Sequence, residues 1–184
     1  MPAQADPPAS WNGTSQYPMY GLYEYGAQAF IYLSSEFSGG PEYNINKLSW
    51  YVKGWTTPYY PTENIFTAKI YMAHCQENEF PIGPEVDNSD LTLTDETLVF
   101  DNEINITANN TFKNLVLDTN FCYNTNNGNL LIRFENRSGE WQSGYGQVGW
   151  ETSTNRAMRY WKDNSYPTLP GNQESRRIIV KLGY

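Results

Sequence analysis

Histidine, cysteine and positive charge are scarce in this chain of 184 residues. It has one histidine, two cysteines, and 12 Lys and Arg residues against 20 Asp and Glu, so its formal net charge is -8. A single histidine excludes a His-x-x-His metal pair, and the negative charge repels nucleic-acid phosphates and anionic lipid headgroups. No apolar run approaches the roughly 20 residues that a membrane helix needs. We therefore expect neither nucleic acid as a partner nor membrane insertion.

Charged residues are also few, whereas aromatic residues are abundant. Charged residues make up 17% of the chain, and there are 15 Tyr and 6 Trp. Such a composition, with Asn, Gly, Pro and Thr in the connections, is typical of extracellular β-proteins and predicts a secreted or surface-displayed chain. Residues 1–16 lack a periodic apolar pattern and are predicted to form a flexible tail or linker. Residues 17–184 fit one domain of β-sandwich size.

Alternation of apolar and polar residues is the main structural signal. Phe66, Ala68, Ile70 and Met72 fall on every second position, with Lys69 among the residues between them. This period of two predicts a strand with one face in a core and the other in water. The same pattern recurs at Leu48, Trp50 and Val52 and at Leu130, Ile132 and Phe134.

Turn-forming residues separate about ten such segments, and no stretch has a helical period. The fold class predicted is therefore all-β, an antiparallel, jelly-roll-like β-sandwich. A turn is predicted at Asp101 and Asn102, and a turn-rich connection over residues 118–129. The predicted strands are 28–33, 45–55, 66–75, 91–100, 103–107, 111–117, 130–136, 147–151, 156–161 and 177–182.

The two cysteines, Cys75 and Cys122, permit one disulfide. Cys75 follows residues of the predicted wet face, and Cys122 alternates with the predicted core residues Phe121 and Tyr123. A bridge requires both side chains to reach a shared outer face. The sequence does not decide between one disulfide and two free thiols.

Catalytic patterns are weak. His74 ends a predicted core strand, and its neighbour Cys75 points to the opposite face, so the two do not form a thiolate pair. Glu135, Glu140 and Glu151 are candidates for a glycoside-hydrolase carboxylate pair, although Arg133 shares a face with Glu135 and offers an ion pair instead. We expect a structural histidine, exposed charges on strands and no enzyme.

Asp and Asn clusters at residues 86–90, 101–105 and 118–127 offer oxygen ligands suited to calcium. The same residue types favour turns without any metal. The candidate ligands of a structural calcium ion are Asp87, Asp90 and Asp101. We expect no other cofactor.

Two groups of aromatic residues fall in predicted loops and carry the strongest functional signal. A flat aromatic ring left exposed can stack on the apolar face of a sugar. Aromatic rings also close the ends of sandwiches, which is the structural alternative. The candidate ligand-binding residues are Trp55, Tyr59 and Tyr60 in one loop and Trp141 and Tyr145 in another.

Ordered landmarks over residues 18–184 resemble a known family. The landmarks are IYLSSEF at 31–37, INKLSWYV at 45–52, AKIYMAHCQENEF at 68–80, FKNLVLDTNFCYNTNNGNLLIRFEN at 112–136 and NRAMRYWKDNSYPTLPGNQESRRIIVKL at 155–182. The chain resembles a β-sandwich accessory module of secreted and cell-surface proteins of Bacteroidota. This resemblance implies a non-catalytic, adhesin-like module exported to the cell surface, often by type IX secretion. It indicates no particular ligand and brings no catalytic residues.

Three functions follow as hypotheses. The first is a non-catalytic extracellular binding or adhesion module whose partner is a glycan or a surface protein. The second is a structural module that self-associates through its edge strands, as a spacer or as a filament or adhesin subunit. The third, a glycoside hydrolase, requires an open groove with two carboxylates.

Overall fold

A computed structural model describes residues 22–53, 63–81, 91–107, 111–141, 147–166 and 171–184. Within these residues the chain forms ten strands and two short 3-10 turns, Ser34–Glu36 and Thr125–Asn127. The predicted tail over residues 1–16 lies outside the described residues. The strands are β1 Tyr25–Tyr32, β2 Glu42–Lys53, β3 Glu63–Cys75, β4 Leu93–Thr107, β5 Thr111–Asn124, β6 Asn129–Asn136, β7 Gln147–Val148, β8 Trp150–Lys162, β9 Asn172–Ile178 and β10 Val180–Gly183.

The strands form two antiparallel sheets. The larger sheet has the order β4-β3-β6-β1-β8-β9, and the smaller has the order β10-β2-β5, with β7 pairing to β2. Every strand pair in these sheets is antiparallel. The predicted all-β, antiparallel sandwich is confirmed.

The main core lies between the two sheets, where the alternating residues meet. Phe66, Ala68, Ile70 and Met72 are all fully buried there. Leu48, Trp50 and Val52 face them from β2, and Leu130, Ile132 and Phe134 lie beside them on β6. The period of two therefore identified the inward-facing side chains of three central strands correctly.

Part of the outer face of the larger sheet is buried too: on β3, Thr67 is exposed and Lys69 half-buried, as expected of a wet face, whereas Ala73 and Cys75 are buried, which corrects the expectation there. A second apolar cluster covers the buried part, because the chain that follows β3 and β8 folds back over this face. The Phe80 N–H donates to the Asn155 carbonyl at 2.7 Å and holds the returning segment in place. The cluster contains Ala27, Ala29, Ile31, Ala73, Cys75, Phe80, Leu91, Leu131, Met158 and Tyr160.

Two predicted turns are strand instead. Asp101 pairs with Lys69 across the β3–β4 ladder, so β4 continues through the position where a turn was predicted. Strand β5 extends to Asn124 because Phe121 and Tyr123 point into the core. Only Thr125–Asn127 and Gly128 form the turn, and Gly128 has a φ of 126°. At these sites, the burial of apolar side chains and the pairing between strands outweigh the preference of Asp and Asn for turns.

The predicted strand at 177–182 divides at Ile179. Strand β9 belongs to the larger sheet and β10 to the smaller, so the chain crosses between the sheets within one residue. The Ile179 N–H donates to the Gly149 carbonyl at 3.0 Å at this crossing. The crossing brings residues of both sheets next to the turn after β1, where the candidate site lies.

Candidate functional site

The site begins where β1 loses a neighbour. Strand β8 pairs with β1 only as far as the Phe30–Ala157 pair, because β8 has an irregularity between Thr152 and Ala157 in its pairing with β9. The carbonyl of Ile31 would then lack a donor on that side. The side chain of Arg177, in β9, supplies it, since its Nη1 donates to the Ile31 carbonyl at 2.9 Å.

Two carboxylates hold the Arg177 guanidinium. Glu36 accepts from Nη1 and Nη2, both at 2.9 Å, in a bidentate pair. Glu151 accepts from Nε at 2.9 Å and also from Nη2, both on its Oε1 atom. The Arg177 side chain is only 6% exposed, whereas Glu36 and Glu151 are about one-third exposed. Bidentate, charge-assisted contacts of this kind fix a guanidinium in one orientation.

Glu36 is positioned by the 3-10 turn Ser34–Glu36. The Glu36 N–H donates to the Leu33 carbonyl at 2.9 Å, and the Ser34 N–H donates to Asn129 Oδ1 on β6 at 2.8 Å. Glu36 Oε1 also accepts from Arg156 Nη1 at 3.1 Å. The turn thus presents its carboxylate toward β8 and β9 and ties it to two arginines.

A pocket of about 690 Å³ opens beside these groups, and we call it the Arg177 pocket. One part of its lining is apolar and comes from the crossing and β10, together with Phe37. The remaining lining carries Glu36, Glu151, Arg177 and hydroxyl groups. The lining residues are Tyr32, Ser35, Glu36, Phe37, Ser38, Glu151, Arg177, Ile179, Val180 and Leu182.

The surroundings of the pocket fix the protonation states of Arg177 and Tyr32. Burial is the largest influence on Arg177 and lowers its pKa, but the hydrogen bonds to Glu36 and the nearby negative charges of Glu151 and Glu36 together outweigh it, so the net pKa is raised. Burial raises the pKa of Tyr32 far above its ordinary value, so the neutral hydroxyl donates to the Ile178 carbonyl at 2.9 Å. The guanidinium carbon lies 4.5 Å from the centre of the Tyr32 ring, a cation–π contact. Arg177 therefore stays charged and Tyr32 stays neutral.

Of the aromatic residues predicted to bind a ligand, Trp141 alone falls in the described part of the chain. Its side chain is 61% exposed, and it does not line the Arg177 pocket. Trp55, Tyr59, Tyr60 and Tyr145 lie outside the described residues. Stacking by Trp141 stays a prediction.

Of the predicted calcium ligands, Asp101 is described, whereas Asp87 and Asp90 lie outside the described residues. Asp101 Oδ2 accepts a hydrogen bond from Lys69 Nζ at 2.9 Å. Across the described ranges, no group of three or more His, Cys, Asp or Glu side chains is placed to hold a metal ion.

Cys75 and Cys122 are both free thiols. Cys75 is buried in the outer cluster of the larger sheet, and Cys122 is exposed on β5 of the smaller sheet. Their outer faces belong to different sheets, so the shared face that a disulfide requires is not formed. The Cys75 thiol donates instead to the Glu77 side chain at 3.4 Å.

His74 connects the two sheets. Its Nε2 accepts from the Asn124 N–H on β5 at 2.8 Å, so Nδ1 carries the hydrogen and donates to Asp95 at 2.9 Å. The ring stacks on Tyr123, with ring centres 5.2 Å apart. His74 is 1% exposed and both nitrogens are occupied, which is the arrangement of a structural histidine.

Two of the predicted carboxylates occupy unlike environments. Glu135 is buried rather than exposed, and it pairs with Arg133 at 3.5 Å and Arg137 at 2.6 Å on the outer face of the larger sheet. Glu151 lines the Arg177 pocket, and Glu140 is exposed. The structure therefore places Glu135 and Glu151 in different sites. The second carboxylate beside Glu151 is Glu36, which shares Arg177 as its partner and was not among the predicted site residues.

Glu36 and Arg177 were missed as site residues, although two signals mark them. Glu36 is the only acidic residue in the landmark IYLSSEF, and Arg177 precedes the apolar run Ile178 to Val180 in a chain with few basic residues. A buried charged residue needs an oppositely charged partner, and Glu36 in the turn Ser34–Glu36 is that partner for Arg177.

The fold and this site define an antiparallel β-sandwich with a pocket, lined by both apolar and charged side chains, at the crossing between its sheets. Comparison with protein-family models, with curated proteins and with solved structures finds no match. Within the described ranges, no helical segment has the length and apolarity required to cross a bilayer.

Proposed function

We propose that this chain is a non-catalytic binding module that works outside the cell and holds a carbohydrate in the Arg177 pocket. The low charge, the many aromatic residues and the resemblance to surface modules of Bacteroidota support the extracellular setting. The observation that carries the proposal is the pocket itself, in which an apolar wall faces a pair of carboxylates held by one guanidinium.

The size and lining of the pocket suit a sugar. Ligand sites commonly enclose roughly 300 to 1,000 Å³ and combine apolar walls with a few fixed polar groups. A sugar ring has apolar C–H faces and hydroxyl groups at its edge. Phe37, Val180 and Leu182 would contact such a face, while the carboxylates accept hydrogen bonds from the hydroxyl groups.

The arrangement favours binding over hydrolysis. A glycosidase needs one carboxyl group free to donate a proton and a second to act as base or nucleophile. Glu36 and Glu151 both accept hydrogen bonds from the buried Arg177, which holds them as acceptors. Their engagement supports a role in positioning a ligand.

Glycan-array binding by the purified protein tests the proposal. Ser38 is exposed and lines the pocket, so Ser38→Trp should block it and abolish binding without disturbing the core. Thr107→Trp, on β4 at the opposite edge of the larger sheet from β9, is the matched control and should bind as the parent does. Silence of the parent on arrays, or release of reducing sugar that Glu151→Gln abolishes, would reject the proposal.

A second candidate function is self-association along β5. This 14-residue strand ends the order of the smaller sheet in the described structure, and Val116 on it is 68% exposed. An edge strand with an exposed apolar side chain can pair with a second copy of the chain. Sedimentation velocity should then show concentration-dependent dimers that Val116→Lys removes, with no effect on glycan binding.

A further inference from the structure

The hydrogen-bonding capacity of Arg177 is fully used within the protein. A guanidinium has five N–H donors. Nε donates to Glu151, Nη1 to the Ile31 carbonyl and Glu36, and Nη2 to Glu36 and Glu151. No donor of Arg177 remains for a ligand, so the most buried charge in the pocket cannot bind an anion.

The pocket still offers acceptors. Glu151 uses only Oε1 for both bonds from Arg177, and its Oε2 makes no hydrogen bond to the described residues. Ser35 and Ser38 add hydroxyl groups at exposed positions. A ligand group that donates hydrogen bonds therefore has partners here, whereas an acidic group would meet carboxylates.

The charges around the pocket also balance. Glu36 and Glu151 carry two negative charges, while Arg177 and Arg156, which pairs with Glu36, carry two positive charges. Paired charges leave little net field to attract an ion of either sign. A carboxylate or sulfate group would meet Glu36 and Glu151, and Arg177 has no donor left to offset their repulsion.

We infer that the Arg177 pocket selects neutral saccharides and rejects their acidic counterparts, such as uronic-acid or sulfated sugars. The inference rests on the proposed carbohydrate function and specifies its ligand class. Hydroxyl groups of the sugar donate to Glu151 Oε2, and the ring packs against the apolar wall.

The test is an array that carries neutral oligosaccharides beside the same backbones with uronic-acid or sulfate groups. Neutral members should bind at least about tenfold more tightly, a difference of one or two hydrogen bonds. Their affinity should change little when the salt concentration rises, because no free charge takes part.

Glu151→Gln replaces the acceptor Oε2 with an amide donor and should weaken neutral binding about tenfold. Glu103→Gln removes one exposed carboxylate from β4, far along the sheet order, and should leave binding unchanged.

The outcomes separate this inference from the proposed function. Equal or tighter binding of the acidic members, lost in Ser38→Trp, would overturn the inference and keep the pocket as the site. Glycan binding that survives Ser38→Trp and Glu151→Gln but disappears in Trp141→Ala would keep a carbohydrate function and overturn the inference, since the ligand would then stack on Trp141. Absence of all glycan binding would reject both.

Discussion

Arg177 is the residue on which the candidate site depends, because three separate groups converge on its side chain. It donates to the end of β1, to the turn after β1 and to β8. Two of the partners, Ile31 and Glu36, lie close together at the end of β1, about 140 positions from Arg177, and the third, Glu151, is 26 positions away. One buried side chain therefore links β9 to β1, to the turn after β1 and to β8, and it also lines the pocket.

Arg177→Lys should lower the free energy of unfolding by about 2 to 4 kcal/mol, because an ammonium keeps the charge but cannot form the planar fork. The measurement is urea unfolding followed by tryptophan fluorescence. The neighbour Arg176 is the control, since its side chain is 33% exposed and its ion pair is with Glu174. Arg176→Lys should cost less than about 1 kcal/mol. Equal losses from the two changes would contradict the role given to Arg177.

The two cysteines should differ sharply in reactivity. Burial raises the pKa of Cys75 to about 12, so its thiol is protonated at neutral pH as well as inaccessible. Cys122 is exposed. A thiol-reactive dye should label one cysteine per native molecule and two in denaturant. Cys122→Ser should abolish native labelling, whereas rapid labelling of that variant would show that Cys75 is accessible.

At the scale of elements, the two sheets are joined by polar contacts as well as by the core. His74 on β3 accepts from the Asn124 amide at the end of β5. This contact anchors the extension of β5 that turn propensity did not predict. Strand pairs within a sheet follow from alternation, but a side chain that joins two sheets depends on which strands the fold places opposite each other.

His74→Ala should leave the Asn124 N–H without an acceptor and open a cavity, at a cost of about 2 to 4 kcal/mol. Amide exchange of Asn124 should accelerate more than that of residues in the middle of β5. Asp95→Ala is the matched variant, because it removes the other partner of the ring and keeps the bond to Asn124. Exchange at Asn124 that is equally fast in both variants would contradict the bridge.

At the scale of the whole molecule, the middle of the larger sheet is covered on both faces. The main core packs against one face and the outer cluster against the other, and both include residues of β1, β3, β6 and β8. Loss of either layer exposes the same sheet, so the two layers support each other.

We therefore expect one cooperative unfolding transition, with tryptophan fluorescence and far-ultraviolet circular dichroism giving the same midpoint. The buried Trp50 reports on the main core. In a Cys122→Ser background, reaction of Cys75 with a thiol-reactive dye reports exposure of the outer cluster and should begin only when the protein unfolds. Exposure of Cys75 at lower denaturant than the loss of Trp50 burial would show that the outer cluster unfolds separately.

The sequence by itself determined the fold class and the inward-facing residues of the central strands, because alternation along one strand is a local property. Phe66 to Met72 and Leu130 to Phe134 could be assigned to a core without knowing their neighbours. The extent of β4 and β5, the cover over the outer face and the split at Ile179 depended on pairing between distant segments. Only the tertiary structure brought Glu36, Glu151 and Arg177 together. The acceptors around a buried guanidinium depend on how separate strands pack, and no local sequence pattern records that packing.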